Sequence, residues 1–277
     1  MNLTPRTYLF ALLTLAVGVA GHRFLKQGNL AEKATHVKKA EIPMRPQSLH
    51  IRPVSLGTPL TPERLHEERI YKVLESGDTE RQEIALTFDD GPHPEFAPKL
   101  LKRLKELNVK ATFFVVGERV TEYPQTVRDI KSAGHEIASH TYSHQNLRRI
   151  SLDKVEQEVL KANIAIKNAT GEYPVFFRPP GGQYDDAVLQ IVRRHSLTTA
   201  LWTENPADYK THSPQEEETW LLKRAHSGSI FLLHSGVENT YQMLPSLVSQ
   251  LRARGYHFVT LSQMTRPAED QNRVARR

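Results

Sequence analysis

From Glu83 onward, apolar runs of four to six residues alternate with amphipathic stretches of ten or more, which restricts the chain to repeated strand–helix units. The predicted strands are Ile84–Phe88, Ala111–Val116, Glu136–Ala138, Val175–Phe177, Thr198–Trp202, Ser229–Leu233 and His257–Thr260. Helices are predicted over Ala97–Leu107, Gln125–Ala133, Leu152–Ala169, Asp186–Arg194, Pro214–Ala225 and Tyr241–Arg254. Ser151 precedes one of them as an N-cap, and Gly134, Gly171 and Gly255 stand where helices should stop. Such alternation implies parallel pairing, in an open sheet or a barrel, and periodicity leaves both open. The reactive side chains favour the barrel. Asp89 and Asp90 follow the first strand, His140 the third, Arg178 the fourth, Asp208 the fifth and His234 the sixth. In a parallel barrel those carboxyl ends share one face.

The chemistry of that set is specific. His140 and His144, in SHTYSH, are four apart, so a helical turn or compact loop brings both imidazoles to one side. With one carboxylate they form a three-ligand site of two nitrogens and one oxygen, suited to Zn2+, with cobalt, nickel or iron as substitutes. Taken alone, the pair also reads as surface histidines, and DDGP as a solvated turn. Together they assign Asp90 to the metal and Asp89 to the general base that deprotonates an activated water. Two adjacent carboxylates ionise together only if a cation or an arginine offsets them, and Arg178 can hold Asp89 charged. His234, ending the run SIFLLH, can deliver a proton to a leaving amine, with Asp208 stabilising its cation; its plainer reading is a satisfied histidine at a strand end. His93 and His135 lie near these motifs and receive no role.

The chain contains no cysteine, which removes disulfides and thiolate ligands. A net charge of +6 raises the question of nucleic acid, but many of the basic residues lie in the segments flanking the strand–helix region and no binding motif accompanies them, so no nucleic-acid partner is expected. Residues 1–21 read as a signal peptide or N-terminal membrane anchor, with Arg6 ahead of an apolar run from Tyr8 to Ala20; a buried helix is the third reading. Residues 22–80 form a basic, Pro-rich linker, 81–265 the folded domain and 266–277 a tail. An exported protein of the periplasm, envelope or medium follows, membrane-associated if the first segment is retained.

TFDDGP, HTYSH, RPPGG and LLHSG, in this order and spacing, resemble the polysaccharide deacetylase family, also called carbohydrate esterase family four, with the likeness running from Glu83 to Leu261. The resemblance implies an α/β fold, a distorted parallel (β/α) barrel of about seven strands. It implies metal-dependent removal of acetyl groups from an N-acetylated glycan polymer, with peptidoglycan the commonest candidate and chitin oligomers, exopolysaccharide or O-acetyl xylan as alternatives. A non-catalytic glycan-binding relative is the rival of another class. By motif, Asp89 resembles the base, Asp90, His140 and His144 the metal ligands, Arg178 the residue orienting the base, Asp208 the carboxylate tuning the acid and His234 the acid itself. Gly181 supplies an oxyanion N–H and Leu232 lines the acetyl pocket by the same resemblance. Asn205 and Tyr209 replace an acid and a tryptophan of the fourth motif, Gly181 a frequent aromatic, and Ser235 a frequent aspartate. These departures bear on the pocket walls and on substrate choice.

Overall fold

The computed structural model describes residues 73–210 and 212–267. The expected leader or anchor, nearly all of the linker and most of the tail lie outside the described residues; within them, no helix is long and apolar enough to cross a membrane.

The strands are β1 (Glu83–Gly91), β2 (Thr112–Val115), β3 (Glu136–Ser139), β4 (Phe176–Phe177), β5 (Thr198–Thr199), β6 (Ser229–His234) and β7 (His257–Phe258). All pairings are parallel. The order is β5-β4-β3-β2-β1-β6, with β7 against β1. Beyond β5, a bridge between Glu204 and Phe231 carries the chain onto β6, and Leu232 N donates to Glu204 O at 2.9 Å. The sheet therefore curls into the expected distorted barrel. Around it run α1 (Ala97–Glu106), α2 (Gly117–Glu122), α3 (Pro124–Ser132), α4 (Leu152–Thr170), α5 (Asp186–Arg194), α6 (Pro214–Arg224), α7 (Glu238–Ala253) and α8 (Leu261–Met264).

The two-residue period of a strand sorts side chains between two cores. Ile84, Leu86 and Phe88 of β1, Phe113 and Val115 of β2, and Phe231 and Leu233 of β6 face outward onto Leu100, Leu104, Leu244 and Leu247 of the helices. Phe88 and Phe113 stack there with ring centroids 5.1 Å apart. Each such buried side chain contributes roughly 1.5–3 kcal/mol. The intervening Ala85, Phe114, Ala138, Phe176 and Ile230 fill the barrel interior, with Leu261 and Met264 of α8. By the same parity Thr87 and Asp89 share the inner face of β1, and Asp89 lies in register with His234 of β6.

Several boundaries differ from the sequence expectation for identifiable reasons. The fifth strand ends at Thr199 rather than Trp202, because the Ala200 and Leu201 carbonyls accept from the Arg178 side chain. The seventh stops at Phe258 because Thr260 caps α8 in a capping box with Gln263. The first extends to Gly91, so both aspartates belong to it. Helix α2 was not expected; its GERVTE segment has too few residues to show a period. Ser151 does precede α4, but its side chain makes no capping bond. Upstream of residue 81, Leu74 bridges Ala200, and Gly77 N donates to Gly228 O at 2.8 Å. A Cβ on Gly77 would stand 2.6 Å from the Met264 side chain, which would have to shift to admit it.

Candidate active site

The carboxyl ends of the strands open into a cavity of about 870 Å³ lined by Asp89, Asp90, His140, His144, Gly181, Leu232, His234 and Tyr209, among others. Its floor is built around Arg178, which is fully buried. The guanidinium donates through Nη1 to Asp89 Oδ1 at 2.7 Å and to Thr87 Oγ1 at 2.8 Å. Nε donates to Ala200 O at 3.1 Å and Nη2 to Leu201 O at 2.6 Å, and the group lies 4.0 Å over the Phe114 ring. A buried carboxylate and guanidinium with these extra bonds compensate each other's desolvation. Asp89 is thereby fixed in direction by Arg178, with its second oxygen 3.7 Å from His140 Nε2.

Strict alternation would point Asp90 away from Asp89. Instead the register of β1 against β2 shifts between Phe88 and Gly91, and Asp90 adopts a φ of 67°. This bulge returns its carboxylate to the same side. Asp90 Oδ1 lies 3.0 Å from His144 Nε2 and 3.5 Å from His140 Nε2. The histidines come from a compact loop rather than a helical turn, with Thr141 at φ 64° and His144 at φ 56°. His140 donates from Nδ1 to Arg178 O at 2.8 Å, which leaves Nε2 with its lone pair toward the cavity. Left-handed backbone at three non-glycine positions beside one cluster is a cost that tertiary contacts must hold in place.

A residue that the sequence did not single out does much of that holding. Glu158 of α4, 8% exposed, accepts from Tyr142 N at 3.0 Å, Ser143 N at 2.7 Å and Ser143 Oγ at 2.7 Å. Its position in an amphipathic helix looks like any solvated glutamate, so nothing in the pattern marked it. Gly117 supports the same loop: its N–H donates to Thr141 O at 3.0 Å, and a Cβ there would meet the Tyr142 ring at 2.6 Å.

Asp90, His140 and His144 fit a metal ion. Their ligand atoms lie within 4.8 Å of one another, and the two measured pairs bracket the roughly 3.3–3.5 Å edge of a tetrahedron with bonds of about 2.0–2.1 Å. Asp90 Oδ1 is buried and faces the two imidazole nitrogens. Burial pushes the Asp90 carboxyl up, but the bonds and charges of the two imidazoles outweigh it and keep the acid below the usual carboxylate range. His144 is raised by its bond to Asp90.

On the opposite wall, His234 Nδ1 bonds Asp208 Oδ1 at 2.7 Å, while His234 N donates to Asp208 Oδ2 at 2.8 Å. Thr240 of α7 donates to the same Oδ2. Burial pushes the His234 imidazolium toward losing its proton, yet Asp208 prevails and the pKa sits above the ordinary value. Tyr209 stands edge-on to His234 at 4.9 Å. Asn205 accepts from Ala207 N at 2.8 Å, stabilising the turn that carries Asp208. His93 also lines the cavity, whereas His135 sits at the other end of the barrel, where its Nδ1 accepts from Ala111 N at 3.2 Å.

Every candidate site residue of the sequence analysis thus lines this cavity or, for Arg178 and Asp208, bonds directly to one that does. Residues 76–200 match the family model described as polysaccharide deacetylase. A peptidoglycan-N-acetylglucosamine deacetylase of Bacillus cereus is 34% identical over 205 residues, covering 73% of this chain and 74% of the relative. The chain belongs to the polysaccharide deacetylase family. A second Bacillus cereus deacetylase of the same description is 36% identical over 188 residues, covering 66% of this chain and 88% of its own. A crystal structure of a peptidoglycan N-acetylglucosamine deacetylase bound to 4-naphthalen-1-yl-N-oxidanyl-benzamide superposes with a TM-score of 0.68 at 34% identity, covering 72% and 94% of the two chains. The family also includes a Bacillus anthracis pseudoenzyme that superposes equally well, with a TM-score of 0.68 at 28% identity and coverage of 70% and 69%. Fold within this deacetylase family therefore does not by itself guarantee catalysis, which depends on the side chains in the cavity.

Proposed function

We propose that the protein is a divalent-metal-dependent N-deacetylase acting on N-acetylglucosamine in a cell-wall glycan, with zinc the preferred ion. The observation that carries this reading is a free carboxylate beside a ligand triplet: Asp89 is ion-paired to Arg178 at 2.7 Å and stands next to Asp90, His140 and His144 without belonging to them. A divalent cation bound by those three would polarise an acyl oxygen and bring the pKa of a water toward neutrality.

Asp89 accepts the proton from the attacking water; its partner Arg178 keeps it fixed in direction. His234, in register with Asp89 across the sheet, donates its proton to the departing sugar amine, and Asp208 keeps that proton available. Leu232, one pleat earlier on the inner face of β6, packs against the acetyl methyl, and the Gly181 amide serves the oxyanion. Tyr209 and Trp202 give the wall a surface for sugar rings. Peptidoglycan is the substrate the named relatives favour, and export through the apolar run at residues 8–20 would bring the enzyme to it.

Asp89→Asn should lower acetate release from N-acetylglucosamine oligomers about 10³-fold while zinc binding persists. Release at the wild-type rate from that variant would sink the assignment.

A further inference from the structure

One cation of the cavity wall has no part in the chemistry above. Among the lining residues Arg119 of α2 is the sole lysine or arginine. Its Nε donates to Pro92 O at 2.9 Å and its Nη2 bonds His93 Nδ1 at 2.8 Å. Both partners are neutral acceptors on one edge of the guanidinium. Among the described residues no carboxylate forms an ion pair with Arg119, and Nη1 has no protein partner. Arg178 differs, since its charge is compensated by Asp89. Arg119 is a guanidinium fixed in orientation, with no contact ion pair and with Nη1 unbonded among the described residues, in the wall of the cavity.

Its location relates it to the reacting groups. The His93 ring that it holds packs against Gly236, where a Cβ would meet the ring at 3.1 Å, and Gly236 lies two residues beyond His234. An anchored guanidinium recognises a carboxylate through parallel N–H donors, and anchoring removes part of the ordering cost. A monoanion matches the single unpaired charge. Asp89, Asp90 and Glu118 line the same cavity and repel a dianionic phosphate more strongly than a carboxylate.

We propose that Arg119 binds a carboxylate on a sugar neighbouring the one deacetylated, so that the preferred substrate is an acidic acetamido-glycan; this rests on the deacetylase reading above. The carboxylate can belong to a lactyl ether or to a uronate.

The test compares three N-acetylglucosamine-containing oligomers of equal length: neutral, lactyl-bearing and uronate-bearing. The zinc-loaded wild type should show a kcat/KM about tenfold higher on at least one acidic oligomer than on the neutral one, and the acid that gains identifies the source. Arg119→Gln should erase that preference through KM while leaving the neutral oligomer within about twofold. Equal losses on all three would make Arg119 a brace for the Pro92–His93 turn and overturn the proposal, as would a wild type without preference. The wild type alone gives a second measurement, which does not depend on the variant folding. KM for the preferred acidic oligomer should rise several-fold between about 20 and about 300 mM NaCl while that for the neutral one stays constant; a flat response overturns the proposal. Acetate release from none of the three would instead defeat the deacetylase reading, and this proposal with it.

Discussion

The two ends of the barrel use the same strands in opposite ways. At the amino end, polar groups close on one another. Thr112 Oγ1 donates to Glu136 Oε2 at 2.7 Å and accepts from Leu261 N at 3.0 Å, Ser262 bonds both Glu136 oxygens, and Arg81 Nη2 reaches Met264 O at 2.5 Å. At the carboxyl end, Asp90 Oδ1 faces the two imidazole nitrogens, the buried Ser235 Oγ makes no hydrogen bond among the described residues, and Asp90, Thr141 and His144 sit in left-handed backbone. Buried atoms without a hydrogen bond occur at both ends, as at Arg81 Nε and Glu83 Oε2, so the ends differ by the left-handed backbone and the clustered ligand atoms held at the cavity. Substitutions at the amino end should therefore cost stability and spare turnover, and those at the cavity should do the reverse.

The largest departure is expected from Asp208→Asn, which should lower kcat about 10²–10³-fold. Since Asp208 holds the His234 pKa above its ordinary value and the protonated imidazole is the working form, the alkaline limb of kcat should move to lower pH in the variant. An unmoved limb would remove His234 as the acid. Next comes a pH effect at the amino end. Burial, aided by Lys110, lowers the His135 pKa from 6.5 to about 4, so between those values the unfolded chain takes up a proton that the folded one refuses. His135 therefore costs no stability above pH 6.5, and about 3 kcal/mol should be lost as pH falls toward 4. Urea midpoints in His135→Gln should lose that slope; an unchanged slope would break the assignment.

Smaller is the effect of Glu158→Gln, which should weaken zinc affinity about 10–100-fold by loosening the histidine loop, with dialysis against chelator as the measure. Unaltered affinity would mean that the loop holds itself. Smallest is Thr112→Val, expected to cost about 1–2 kcal/mol by thermal unfolding with kcat/KM unchanged. A matching loss of activity would blur the division between the ends.

The sequence showed the strands as short apolar runs with Asp89 and His234 at their carboxyl ends; the structure adds the alternation that turns Ile84, Leu86 and Phe88 outward and Thr87 and Asp89 inward. The sequence could not show where that alternation fails. Asp90 joins Asp89 only through a bulge and a positive φ, and a DDG string carries no sign of either. The barrel was legible from the reactive residues gathered at the carboxyl ends, but not how it closes, which falls to Thr203 and Glu204 bonding Ile230 and Leu232 beyond a two-residue strand. Glu158 and Arg119 escaped for a different reason. Each lies on a helix whose charged positions look solvated until the neighbouring loop is in place. Arg178 was legible because it breaks an apolar run beside Pro-Pro-Gly-Gly, a setting in which a solvated arginine would be out of place.

The burial of Arg178 has a consequence for how the enzyme is assembled. Its guanidinium joins β1 to the chain after β5 and rests on the Phe114 ring of β2, all with groups of the polypeptide itself. The positive charge beneath the reaction chamber is thus permanent and owes nothing to an acquired ion. The bonds of the guanidinium therefore do not depend on an ion at Asp90, His140 and His144. Mutational drift in the imidazoles would then leave a sound but silent shell, a route by which lineages with this architecture can shed chemistry while keeping their form.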